Sequence, residues 1–378
     1  MLLLKNADIY APSHLGIKHI LIGEEKILKI YDEIPEGFSD IESIDLDGKK
    51  IVPGFIDQHL HITGGGGEGG YKTKVPELPL SKLIEAGITT VVGLLGTDSV
   101  TRSVENLASK ALALTEEGIT TYYLTGSYEF PTPTIAGSIK RDIVFLENCI
   151  GVKIAANDHR DSALSYEELA RIGTEARVAG MISGKSGHVT VHMGSGKFNL
   201  DQIFEALEVS NLPITTFRPT HVNRAEEVFK ASIKFAKDGG YIDLTSSLPG
   251  CIDDVESYKI LKNENILDRV TFSSDGFGSW SNYDKEGNLI EIGYSPLDTS
   301  IKSFKEIVES GEPIEEVLKV YTSNVAEVLK LDKEVGKISK GYFANILVLD
   351  ENLELDSVIS RGRVMMSDKN IIVRGTYE

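Results

Sequence analysis

The chain opens and closes on short stretches in which apolar and polar positions alternate. LLLKNADIYA, HILIGEEKILKIYDEI and IESIDLDGKK lie near the start, and GKISKGYFANILVLD, LDSVISRGRVMM and KNIIVRGTYE near the end, each broken by Gly, Pro or charged turns. That alternation predicts β-strands at both ends. Between them, near-continuous apolar runs predict eight strands: Ile51–Asp57, Thr89–Leu95, Ile119–Thr125, Gly151–Ala155, His188–Met193, Ile214–Pro219, Tyr241–Ser246 and Val270–Asp275. The segments between the runs carry helical period. Val104, Leu107, Ala111 and Leu114 share one helix face and stop at Gly118. Asn223 with Glu226 reads as a capping box ahead of Val228, Ala231 and Phe235, closed by Gly239 and Gly240.

Strands alternating with helices build right-handed parallel units. Eight of them in roughly 250 to 300 residues predict an α/β fold closed as a (β/α)8 barrel, with an open doubly wound sheet as the alternative. In such a barrel the reactive side chains stand at the carboxyl ends of the strands.

Composition narrows the function. Of 378 residues, 57 are acidic and 39 basic, a formal charge of −18, so nucleic acid and anionic membranes are both disfavoured as partners. Two cysteines, Cys149 and Cys251, make no disulfide framework and no zinc ribbon, which fits a reducing cytoplasm. The amino-terminal MLLLK is too short for the apolar part of a secretion signal, and no run approaches the roughly twenty apolar residues of a membrane span.

Chemistry appears where the strands end. His59 and His61 stand two residues apart, which on an extended chain places both imidazoles on one face, roughly 6 to 7 Å apart. An HxH pair alone is common. Lys153 in the fourth run, His192 near the end of the fifth, His221 just past the sixth and Asp275 closing the eighth turn the pair into a candidate metal centre. A buried lysine is costly and, protonated, ligates nothing; as a neutral amine it can add carbon dioxide and become an anionic carbamate. His188 lies four residues before His192, roughly 13 Å along the strand, too far to share its ion. His14, His19 and His159 read as ordinary polar or structural side chains.

HLHITGGGGEGG, GSYEFP, GVKIAANDHRDS, VHMG, RPTHVNR and SSDGFGSW together resemble the amidohydrolase superfamily, and within it the isoaspartyl (β-aspartyl) dipeptidase family, over essentially the whole chain. The resemblance implies a small β-sandwich domain from residues 1–50 and 335–378 beside a metal-dependent barrel spanning 51–334. It implies two zinc ions: His59, His61 and Asp275 hold one, His192 and His221 the other, and carboxylated Lys153 and a hydroxide bridge them. Asp275 becomes the general base and acid.

A β-aspartyl dipeptide carries one ammonium and two carboxylates, and by the same resemblance the remaining residues meet them. Glu68 takes the ammonium, assisted by the backbone near Gly66 and by Thr97. Arg160 and Arg224, whose guanidinium forks suit carboxylates, clamp the acidic groups. Tyr128 stabilises the oxyanion and Ser279 adds a substrate contact. The resemblance further implies a homo-oligomer, an octamer. The alternatives are a cyclic-amide hydrolase of dihydroorotase or hydantoinase type, which needs no ammonium-binding acid, and a non-catalytic scaffold on the same barrel.

Overall fold

The computed structural model describes residues 1–378. Five strands open the chain: β1 (Leu2–Tyr10), β2 (His14–Gly23), β3 (Lys26–Tyr31), β4 (Glu42–Asp45) and β5 (Lys50–Pro53). Eight more alternate with helices: β6 (Phe55–Leu60), β7 (Ile88–Gly93), β8 (Thr120–Gly126), β9 (Cys149–Ala156), β10 (His188–Met193), β11 (Phe217–Thr220), β12 (Ile242–Thr245) and β13 (Val270–Ser273). A hairpin of β14 (Ser279–Tyr283) and β15 (Leu289–Tyr294) follows the last of them. The chain ends in β16 (Ile346–Leu349), β17 (Leu355–Ser360), β18 (Arg363–Ser367) and β19 (Asn370–Ile371).

Strands β6 to β13 pair in chain order, all parallel, and β13 returns beside β6. Side-chain and loop bonds finish the closure: the Asp57 carboxylate accepts from the Ser274 amide at 3.1 Å, and the His61 amide donates to the Gly276 carbonyl at 3.0 Å. Every residue of β6, β7, β9 and β10 is buried. That is why their sequences run apolar without alternation: helices cover one face and the barrel's own interior covers the other. The (β/α)8 expectation is met.

The first apolar run is two strands, not one. Lys50–Pro53 pairs with β1 and β16 in the terminal sheet, and the barrel strand begins at Phe55. Gly54 is the crossing point. A Cβ there would stand 2.0 Å from the Thr89 hydroxyl, so only glycine lets the backbone pass from one sheet to the other. The run Ile214–Pro219 is also shortened, because Ile214–Thr216 after Pro213 winds into a single 3₁₀ turn and β11 starts at Phe217.

The helix Val104–Glu116 forms where its periodicity predicts, capped by Ser103, which accepts from the Asn106 amide at 3.2 Å. The capping box expected at Asn223 does not form. The helix Glu226–Lys237 is preceded by Ala225, without a side-chain cap. Asn223 is instead fully buried, donating to the Thr245 carbonyl at 2.9 Å and accepting from the Thr245 amide at 3.0 Å. Unpaired backbone groups at the buried end of β12 are costlier to leave unsatisfied than an exposed helix start, which water can serve.

Both termini build one nine-stranded sheet in the order β19-β18-β17-β16-β5-β1-β2-β3, with β4 beside β1. One apolar group of this sheet, including Ile9, Ile20, Ile51, Ile346 and Val348, forms a core of its own. Leu347, Leu349, Val358, Met365 and Met366 belong to the barrel's core, so the two halves share an apolar seam. No helix is long and apolar enough to cross a membrane. Cys149 and Cys251 are free thiols.

Candidate active site

The carboxyl ends of the barrel strands gather the predicted residues. His59 sits near the end of β6, 1% exposed, its amide donating to Asp57 at 3.0 Å. Asp57 also accepts from the Ser274 amide and hydroxyl, so one carboxylate ties the histidine strand to the loop that carries Asp275. Burial pushes Asp57 up to about 7 despite those bonds. Lys153, wholly buried on β9, places Nζ 2.7 Å from His59 Nε2. Burial pushes its ammonium down to about 7, so the neutral amine is accessible near neutral pH.

Asp275 and His221 lie one or two residues past their strands in the left-handed region, at φ 51° and 60°. Such a backbone is uncommon for any residue other than glycine, although Asp and His adopt it more readily than most, and holding it costs energy that the surrounding bonds offset. Asp275 Oδ1 lies 3.6 Å from His59 Nε2 and 3.2 Å from His61 Nε2. His221 is fixed by the Thr245 hydroxyl, 2.6 Å from its Nδ1, which leaves the buried Nε2 without a partner. Donor atoms of His59, His221 and Asp275 all lie within 4.8 Å of one another. The His192 ring packs 4.7 Å from that of His221, with Nδ1 2.5 Å from the Tyr128 hydroxyl and Nε2 2.9 Å from Asp158. Burial pushes His59, His192 and His221 well below the ordinary imidazole value.

This donor set fits a divalent metal. Neutral imidazoles offer lone pairs, one of them on the orphaned, buried His221 Nε2; the carboxylate of Asp275 supplies charge, and His221 is oriented through its other nitrogen as metal-bound histidines are. His59, His61, Lys153, His192, His221 and Asp275 are thus brought to one place, as the sequence implied.

Around them stands a polar rim. Glu68 Oε1 accepts from Ser279 at 2.9 Å and Thr97 at 3.3 Å and faces Arg160 Nη1 at 3.4 Å, while its Oε2 is buried without a partner. Gly66 lines the same cavity. Arg224 Nη1 approaches His192 Nε2 at 3.1 Å. The Tyr128 ring lies under the Arg160 guanidinium at 5.6 Å, and burial raises its phenol well above the usual value.

Three residues that hold this arrangement together escaped the sequence reading. Asp158, inside the quoted NDHRDS, binds His192 and both donors on one side of the Arg160 fork. Asp57 sat in plain sight two residues before His59. Arg102 is buried and donates to the carbonyls of Thr63, Gly65 and Val75, pinning the glycine run that carries Glu68. Nothing local marks an arginine for that role.

The sequence profile of the amidohydrolase family matches residues 51–365. The chain belongs to the amidohydrolase family. Among solved structures, this amidohydrolase is similar to a β-aspartyl dipeptidase of Fervidobacterium islandicum AW-1 in complex with β-Asp-Leu, at 42% identity and TM-score 0.93 over 98% of each chain. A second structure of the Fervidobacterium enzyme gives 40% identity and TM-score 0.90, again over 98% of each chain. D-hydantoinase from Bacillus sp. AR9 shares the fold alone, at 15% identity and TM-score 0.71. Among curated proteins, a dihydroorotase of Staphylococcus epidermidis is 36% identical over 107 residues, 28% of this chain and 24% of that protein. The chain thus matches about a quarter of that relative's length. The resemblance to the β-aspartyl dipeptidases therefore holds over the full chain.

Proposed function

We propose that this amidohydrolase cleaves β-aspartyl dipeptides to aspartate and an amino acid, using two zinc ions held by His59, His61, Lys153, His192, His221 and Asp275. The observation that carries the reading is the facing pair of Glu68 and Arg160, 3.4 Å apart beside the metal donors, with one Glu68 oxygen still unpartnered. An acid and a base that meet each other there present what a zwitterion needs: an acceptor for its ammonium and a fork for its carboxylate. The cleft opens past Gly66, Glu68 and Thr97 into a cavity of about 220 Å³, and a dipeptide entering from it lets Glu68 and Arg160 exchange each other for the substrate's charges.

When bound, the ions acidify a water and polarise the scissile carbonyl. Asp275, against His59 and His61, takes the proton from the attacking water and passes it to the departing amine nitrogen. The Tyr128 hydroxyl, kept protonated by its raised value, donates to the oxygen that gains charge at the attacked carbon. Glu68, with Ser279, Thr97 and the backbone at Gly66, receives the ammonium; Arg160 and Arg224 receive the two carboxylates. The neutral Lys153 amine would add carbon dioxide with loss of one proton, and the resulting anion would help hold the ions. A reducing cytoplasm and a homo-octamer complete the reading, the latter measurable by light scattering.

The test compares β-Asp-Leu with α-Asp-Leu, with and without chelator. Selective, chelator-sensitive cleavage of the β isomer is expected; equal or absent cleavage of it overturns the proposal.

A further inference from the structure

The catalytic reading gives no task to the Asp158 carboxylate, which stands among the residues it uses. Asp158, its side chain 5% exposed, lies within reach of three residues placed in the machinery. Its Oδ2 stands 2.9 Å from His192 Nε2, 2.8 Å from Arg160 Nη2 and 3.9 Å from Arg224 Nη1, and its Oδ1 accepts from Arg160 Nε at 2.9 Å. Each contact leaves one donor over. With Nε2 taken, His192 turns Nδ1 inward, toward the Tyr128 hydroxyl; with Nε and Nη2 taken, Arg160 extends Nη1 toward Glu68.

The backbone beneath Asp158 is built for this placement. Asn157, at φ 57°, donates to the Gly194 carbonyl at 3.1 Å and accepts from the Phe198 amide at 2.9 Å, zipping the ends of β9 and β10 together. Gly194, two residues after His192, approaches so closely that a Cβ there would stand 2.3 Å from the Asn157 carbonyl oxygen and 2.6 Å from the Asp158 Cα. That contact accounts for the glycine of VHMG. The Asp158 amide is held in turn by Asp161 at 3.0 Å.

We propose that Asp158 is a positioning residue shared between the metal centre and the substrate clamp: one carboxylate turns His192 toward the ions and Arg160 and Arg224 toward the substrate's carboxylates. A carboxylate that orients a ligating imidazole is a common outer partner of metal sites. Here the same anion also fixes a guanidinium bidentately, so ion binding and substrate binding are tied to one side chain. The guanidinium half of the inference rests on the proposed dipeptidase activity; the imidazole half does not.

Three variants of the zinc-loaded enzyme test it: Asp158→Asn, which keeps the shape and removes the charge; Asp158→Glu, which restores the charge; and Gly194→Ala, which displaces the loop with the carboxylate intact. Zinc affinity is read by competition with a chelator, and KM and kcat with β-Asp-Leu, with thermal stability as the control. Asp158→Asn is expected to weaken zinc binding roughly 10- to 100-fold and to raise KM about tenfold, the scale of one charge-assisted hydrogen bond, with kcat changing less. Asp158→Glu recovers part of both, and Gly194→Ala shows both losses. A variant that only melts earlier, with unchanged zinc affinity and KM, overturns the proposal, as does a loss in one readout without the other. If the enzyme does not cleave β-Asp-Leu at all, the dipeptidase reading fails, and the zinc competition still decides the role of Asp158 toward His192.

Discussion

Lys153 concentrates the chemistry of single residues. Its folded value of about 7 lies below the ordinary 10.5, so between those values the unfolded chain binds the proton more tightly than the folded one. By linkage, the metal-free protein gains stability through Lys153 as pH rises from about 7 toward 10.5. Chemical denaturation across that window is expected to show the slope, and Lys153→Met to flatten it. The same value makes the amine mostly protonated at pH 6 and mostly neutral at pH 8. Zinc uptake by apoprotein is therefore expected to be faster at pH 8 and to respond to added bicarbonate, measured with a zinc indicator. Glu68→Gln keeps the bonds from Ser279 and Thr97 but withdraws the charge. kcat/KM for β-Asp-Leu is expected to fall at least about tenfold, as when one partner of a buried charge pair is removed, while zinc content stays the same. A cyclic-amide hydrolase, which needs no ammonium-binding acid, keeps its cyclic-amide turnover through the same change. The gathering of His59, His61, Lys153, His192, His221 and Asp275 was legible because few other reasons put such side chains on or just past barrel strands. Asp57, Asp158 and Arg102 were not, because a charged side chain shows its meaning only when its partner, distant in the chain, is folded against it.

At the level of strands and loops, the glycine run Gly64–Gly67 is held by a single β-bridge, Gly66 to Lys74, and by backbone bonds to Phe277, Thr73 and Val75, and Arg102, just before the neighbouring helix, adds its guanidinium to them. Arg102→Met removes the donor that the Thr63 and Val75 carbonyls share, while the Gly65 carbonyl keeps the Val75 amide. It is expected to cost about 1 to 3 kcal/mol in urea unfolding and to raise KM through a loosened Glu68, with zinc affinity unchanged. Strand positions were readable from apolar runs because both faces of β6 to β13 are covered. Their ends were not: the run through Ile51–Asp57 is unbroken in hydrophobicity, and only the approach of Thr89 to Gly54 reveals a change of sheet. Asn223 misled for a related reason. Its local pattern suits a helix start, yet Thr245 offers it two buried backbone groups, a carbonyl and an amide, that its side chain meets at once.

For the whole molecule, the seam between the terminal sheet and the barrel is both apolar and hydrogen-bonded. The Asn345 amide donates to the hydroxyls of Thr90 and Thr120, its side-chain oxygen accepts from the Arg361 amide at 2.8 Å, and its carbonyl holds Gly54 at 2.9 Å. Calorimetry is expected to show one cooperative transition rather than two, raised by zinc and lowered by chelator; zinc at a hundred times its Kd adds about 2.7 kcal/mol. Asn345→Leu is expected to lower that single transition by the cost of orphaned buried groups, about 1 to 3 kcal/mol. The passage through Gly54 has a bearing on how the chain is made. The strand holding His59 continues directly from β5, whose neighbour β16 lies beyond the whole barrel in the sequence. Domains tend to fold as they are produced, amino-terminal portion first. Until β16 is made, β5 has β1 on one side and an open edge on the other, and an open strand edge invites pairing with another chain.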